Sequence, residues 1–116
     1  HTLPEHLKIH GDIITPENFK FCIECKKGYN NLNFYCLFNY RSEFWQFITQ
    51  CEKDSAKCNK LPLLIFKQDR QPALAIIPGD IELPQEITHI NIYKNKVYKV
   101  YLFKDLIKCW DSMWFD

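Results

Sequence analysis

The run Leu63-Leu64-Ile65-Phe66 ends at Lys67, and turn chemistry follows at Asp69-Arg70-Gln71-Pro72. An uninterrupted apolar stretch of this length suits a central strand buried on both faces. Such a strand needs partners beside it and a layer above and below, so the chain must build a layered sheet. The best candidate for a covering layer is a helix from Arg41 to Asn59, where Phe44, Phe47, Ile48 and Cys51 recur at helical spacing. Lys60-Leu61-Pro62 closes it.

The remaining segments read as partners of that strand. Leu7 to Ile14 is a short strand ending at Thr15-Pro16, and Pro16-Glu17-Asn18 is a turn. Phe19 to Lys27 is a second strand, broken by Gly28-Tyr29-Asn30-Asn31. Asn33 to Tyr40 is aromatic and reads as a strand fragment or a loop. Ala73 to Ile77 is a strand, and Pro78-Gly79-Asp80 a turn. Residues 81 to 87 are irregular. His89 to Tyr93 and Val97 to Phe103 flank Lys94-Asn95-Lys96 as a hairpin, and Lys104 to Trp110 reads as a short closing helix. The expected architecture is a mixed sheet with a helix packed on it, an α/β or α+β domain.

Length and composition set the limits. A chain of 116 residues with 47% hydrophobic and 25% charged residues is one ordinary globular domain able to hold its own core. No apolar run approaches the roughly 20 residues needed to span a bilayer, so no membrane role is expected. Net charge is +1, but nine Lys/Arg face five Asp/Glu between Lys20 and Arg70, which suits a local positive face. Three glycines and no Gly-rich loop argue against a nucleotide-binding fold.

The six cysteines, Cys22, Cys25, Cys36, Cys51, Cys58 and Cys109, fall below the density of disulfide scaffolds. Cys51 and Cys58, seven apart on one helix, share a face but lie too far apart to bridge. Reduced thiols in an intracellular protein are expected. Cys22-Ile23-Glu24-Cys25 has the C-x-x-C form, but a zinc site would want a second pair, and the two thiols of a strand point to opposite faces. Trp45, Phe44 and Phe47 are expected in the core. Trp110, Trp114 and Phe115 are expected either over the sheet or in a dimer contact.

The chemistry concentrates in Phe21-Cys22-Ile23-Glu24-Cys25-Lys26. Strand alternation turns Cys22, Glu24 and Lys26 one way and Phe21, Ile23 and Cys25 the other. One face therefore carries a carboxylate beside an ammonium. Upstream, Gly11-Asp12-Ile13 puts a second carboxylate in the preceding strand, and the turn near Pro16 can fold it against Glu24. Hard carboxylate oxygens suit Mg²⁺. A lysine nearby can orient an attacking water or offset charge on a phosphodiester.

Asp12 followed by Glu24-Cys25-Lys26 resembles the D…(D/E)-x-K signature of the PD-(D/E)xK nuclease superfamily. The surroundings resemble its phage and archaeal Holliday junction resolvase-like branch. The ordered matches are Gly11-Asp12-Ile13, Phe21 to Lys26, a helix with Trp45 and Gln50, and Pro62 to Lys67 with Arg70. They span about residues 9 to 77.

The resemblance implies a restriction-endonuclease-like α/β fold, with a mixed central sheet flanked by helices, over a single domain 1–116. It implies a metal-dependent endonuclease cutting DNA, branched DNA in particular, as a homodimer. Asp12, Glu24 and the backbone carbonyl of Cys25 would hold Mg²⁺ or Mn²⁺, and Lys26 would be the catalytic lysine. Gln50 would support the site, with Gln46 one turn earlier as the competing choice. Lys67 and Arg70 would contact the DNA backbone. Related resolvases carry a further glutamate on a helix before the Gly-Asp strand. Glu5 is the sole acidic residue before Gly11, so either that helix lies in an upstream segment, another chain supplies it, or the metal site is incomplete. The alternatives are an inactive nuclease-fold module that binds DNA or protein, and the nuclease domain of a larger restriction or homing enzyme.

Overall fold

The computed structural model describes residues 18–109 and 114–115, together with the backbone of 8–9 and 12–13. Strands β1 (Lys8–Ile9) and β2 (Asp12–Ile13) pair antiparallel, with Ile9 opposite Asp12. The span expected as a single strand, Leu7 to Ile14, therefore holds two short strands paired with each other. Glu5, the Pro16 turn and the end of the closing helix at Trp110 lie outside the described residues.

The main sheet has five strands: β3 (Phe21–Lys27), β4 (Leu61–Lys67), β5 (Leu74–Pro78), β6 (His89–Lys94) and β7 (Lys96–Leu102). Their spatial order is β3-β4-β5-β7-β6. β3 and β4 are parallel, joined through helix α1 (Glu43–Lys57), and every other neighbouring pair is antiparallel. A parallel pair needs a long crossover, and the helix supplies it. α1 starts and stops two residues inside the expected span; Ser42 stands at its N-cap and Cys58 at its C-cap.

Two prolines sit inside strands without breaking the ladder. Backbone groups of alternate residues in a strand point to opposite edges. Leu61 N–H donates to Lys20 O, so the odd residues of β4 face β3 and Pro62 faces β5. The β4–β5 ladder begins only at Leu64, opposite Ile76, so the N–H that Pro62 lacks would have had no partner. Pro78 ends β5 in the same way. Gly79 N–H donates to Val97 O, so Pro78 faces the β4 side, where pairing has already stopped at Ile76.

The sheet buries both faces. On one, α1 lays Phe44, Trp45, Ile48 and Cys51 over Leu64, Phe66, Ile76, Ile92 and Tyr98. On the other, Phe21, Ile23, Leu63, Ile65, Ala75, Ile77 and Tyr101 pack with Leu106, Cys109 and Trp114. The central strand is buried on both sides from Leu63 to Phe66, as its apolar run requires. Trp114 resolves the choice left open for the C-terminal aromatics: it is buried and stacks 5.8 Å from Phe19, which bridges to Phe115.

Two further segments differ from expectation. Phe34–Phe38 is a 3₁₀ turn, not a strand fragment, because the Asn33 side chain accepts from Tyr35 N–H and starts the turn. The closing helix, α2, is one turn, Phe103–Leu106. The layered mixed sheet with helices on it is the expected α/β architecture.

Candidate active site

β3 shows the expected alternation. Phe21 and Ile23 enter the core opposite α1, with Cys25 packed against it. Glu24 pairs in register with Leu64, and Lys26 with Phe66; both partners belong to the core beneath α1. Glu24 and Lys26 therefore stand on the α1 face. Lys26 Nζ is 3.5 Å from Glu24 Oε1, and both side chains are mostly shielded, 25% and 17% exposed. The same ammonium lies 5.1 Å from the Phe47 ring centroid.

α1 runs antiparallel to β3. Phe47 meets Lys26 near one end, and Cys58 meets Cys22 near the other. Burial pushes the Cys22 thiol above its ordinary range, and the thiol of Cys58 and the carboxylate of Asp54 add to this. Cys51, buried between them, is pushed up to about 12, by burial first and then by Cys22 and Glu24. These thiols stay protonated at neutral pH. The two thiols of the C-x-x-C sequence do point to opposite faces.

The backbone of β3 directs Cys25 toward the second edge. Gly28 N–H donates to Lys67 O, so the even residues of β3 face β4. The carbonyl of Cys25 therefore points the other way, to the edge of the five-stranded sheet. β2, the strand that carries Asp12, comes within 8 Å of β3 between Cα atoms. The Glu24 carboxylate and the Cys25 carbonyl are hard oxygen donors, the kind that suits a divalent cation such as Mg²⁺. Among the described residues, no three His, Cys, Asp or Glu side chains form a group that could hold a metal.

The other expected residues stand further off. Gln50 is exposed, and its amide donates to Asp54 Oδ1 at 2.9 Å. It shares the β3-facing side of α1 with Phe47 and Asp54, at helical spacing. Gln46 is also exposed, and its amide turns back to Arg41 O at 3.1 Å. Lys67 pairs with Lys27, so it lies on the face opposite Glu24 and Lys26, with its Nζ on Gln68 O at 2.7 Å. Arg70 is exposed on a turn, where its φ of +62° is left-handed.

That turn is tied to the loop after β3. Asp69 N–H donates to Asn30 Oδ1 and Asn30 Nδ2 donates to Asp69 Oδ2, while Gln68 Nε2 reaches Tyr29 O and Leu32 O. The C-terminal ends of β3 and β4 therefore form one rim carrying Lys26, Lys27, Lys67 and Arg70. Sequence reasoning missed Phe47 as the seat of Lys26, and Asp54 as the partner of Gln50. The i, i+3 and i+7 spacing of Phe47, Gln50 and Asp54 was the available signal.

A protein-family model described as "Phage putative PDDEXK endonuclease" matches residues 2–113. No curated protein and no solved structure matched the chain.

Proposed function

Because this chain belongs to that PDDEXK endonuclease family, we propose that it is a divalent-metal-dependent endodeoxyribonuclease whose reacting centre is built on β3. The observation that carries the reading is the Glu24–Lys26 pair on the α1 face of β3, the strand that β2 approaches. Asp12, Glu24 and the Cys25 carbonyl would hold Mg²⁺ or Mn²⁺. A divalent ion bound there supplies Lewis-acid polarisation of the phosphate and a lowered pKa for water.

The chain's own groups do the rest. Glu24 accepts from the attacking water and orients it. Lys26, seated on Phe47, sets a positive charge where the phosphodiester gains negative charge. Gln50 supports the site from α1. Lys67 and Arg70 contact phosphates away from the reacting centre, one from the opposite face of the sheet and one from its rim. Such contacts fix the DNA without reading its sequence.

The substrate is DNA with a branch, four-way junctions in particular. The chain acts as a homodimer, since two strands must be cut, and it works inside the cell that holds its DNA. No helix among the described residues is long and apolar enough to cross a membrane.

A nicking assay on supercoiled plasmid tests the activity. Wild-type protein is expected to nick with Mg²⁺ or Mn²⁺ and to be inert in EDTA. Glu24→Gln, which keeps shape and removes the charge, is expected to cut at least about 100-fold more slowly. Undiminished nicking by Glu24→Gln would place the chemistry elsewhere. The second reading, an inactive DNA-binding module on this scaffold, is favoured by the site's having one described carboxylate, already paired with Lys26. DNA binding without nicking in either metal would select it.

A further inference from the structure

Phe34, Tyr35 and Phe38 are 67%, 75% and 76% exposed, on a 3₁₀ turn that is otherwise firmly held. Cys36 and Leu37 pack inward against the α1-face core. Ser42 Oγ donates to Cys36 O, and Trp45 Nε1 to Leu37 O. The turn is thus anchored at its centre and presents its aromatic rings outward. Phe34 lies 6.3 Å from both Tyr35 and Phe38, edge-on in each case. Rings left in water forgo the stabilisation that burial would give, so a rigid cluster of three marks a contact surface.

Through Cys36 and Leu37 the turn packs into the same apolar cluster as Phe47. Tyr29, at the start of the loop that leads to it, packs 4.6 Å from Phe47, the ring beneath Lys26. Basic residues stand beside the turn: Arg41 N–H donates to Asn39 Oδ1 and Lys94 Nζ donates to Tyr40 O. Exposed aromatic rings beside basic side chains, in a chain of a nuclease family, match the faces of nucleobases joined by phosphates. A fully paired duplex hides those faces in its stack. Only unpaired bases offer them.

We propose that Phe34, Tyr35 and Phe38 form a stacking surface for unpaired bases of DNA, which directs the nuclease to single strands, bulges and branch points. The proposal rests on the nuclease reading above and names the substrate feature that the site selects. One ring–base stack makes binding about tenfold tighter, and the effect is tolerant of sequence.

The test is binding of the full chain in EDTA, so that nothing is cut. Fluorescein-labelled single strand, fully paired duplex and bulged duplex are compared by anisotropy, with 2-aminopurine in the bulge as a stacking reporter. Wild-type protein is expected to favour bulged over paired DNA and to quench 2-aminopurine. Phe34→Ala with Phe38→Ala is expected to lower that preference about tenfold or more. If the Ala pair melts abnormally, Phe34→Leu with Phe38→Leu replaces it, keeping apolar bulk without a stacking ring, and the same loss is expected.

An unchanged preference in these variants, without a 2-aminopurine response, overturns the proposal. So does concentration-dependent self-association that the variants abolish, which would make the rings a contact with a second copy. Metal-dependent cutting of paired plasmid reads the nuclease assignment separately. Cutting without a preference for unpaired bases sinks the stacking surface alone; stacking without cutting sinks the nuclease reading alone.

Discussion

The ammonium of Lys26 stands 5.1 Å from the ring centroid of Phe47, on the first half of α1. A strand residue is thereby seated by the crossover helix, and the helix positions the lysine as well as covering the sheet. Lys26 is gripped from two sides, by this ring and by Glu24.

A double-mutant cycle measures that seat. Phe47→Leu keeps apolar bulk and removes the quadrupole, while Lys26→Met removes the charge. The expected coupling in urea denaturation is about 0.5–1 kcal/mol, the range of a partly exposed cation–π contact. Phe47→Leu should also slow cleavage several-fold with little change in KM, since it loosens a positioning contact. A coupling near zero would show that the ring is only core filling.

Cys51 sets the alkaline limit of stability. Its thiol is pushed up to about 12 in the fold and titrates at its ordinary value of 9.0 when unfolded. Below pH 9 both states hold the proton and the native advantage is complete. Between pH 9 and 12 only the unfolded thiol ionises, so stability falls as pH rises, by at most about 4 kcal/mol. Tyr98 steepens the decline above its ordinary 10.0, because burial and its hydrogen bond to Glu52 favour the neutral phenol. Cys51→Ala is expected to flatten the pH 9–12 part of a stability profile from urea melts. An unchanged profile would contradict the assignment.

Gly79 tests the backbone approach at the end of β5. A Cβ there would lie 2.9 Å from both the carbonyl oxygen and the Cγ1 of Val97. Gly79 N–H donates to that same carbonyl, so the two strands cannot separate without losing the bond. Gly79→Ala is expected to cost about 1–3 kcal/mol in thermal or urea unfolding. Gly28 makes a contrast: its φ is +82°, with open space around the missing Cβ. Gly28→Ala meets backbone strain of about 1–2 kcal/mol without a clash. Equal melting of Gly79→Ala and the parent would place the strands further apart.

Much of this was readable in the chain. The two-sided burial of Leu63 to Phe66 followed from an apolar run without alternation. The opposed faces of Glu24 and Cys25 followed from the two-residue period of a strand. The helix followed from Phe44, Phe47, Ile48 and Cys51. What escaped depended on tertiary context. The face of Lys67 depends on its register with Lys27, which the β3–β4 pairing sets across the α1 crossover. Gln50 is offered by the resemblance, and only the fold shows that its amide donates to Asp54 one turn on. The pairing of β1 with β2 was hidden because two-residue strands leave almost no periodic signal.

The most direct test of the central claim is cleavage of a labelled four-way junction and of a linear duplex of matching sequence. Each is incubated with Mg²⁺ or Mn²⁺, beside EDTA and Lys26→Ala controls. The account predicts metal-dependent cutting with preference for the junction, reduced at least about 100-fold in Lys26→Ala. Cutting that persists in Lys26→Ala, or no cutting in either metal, would contradict a reacting centre built on Glu24 and Lys26.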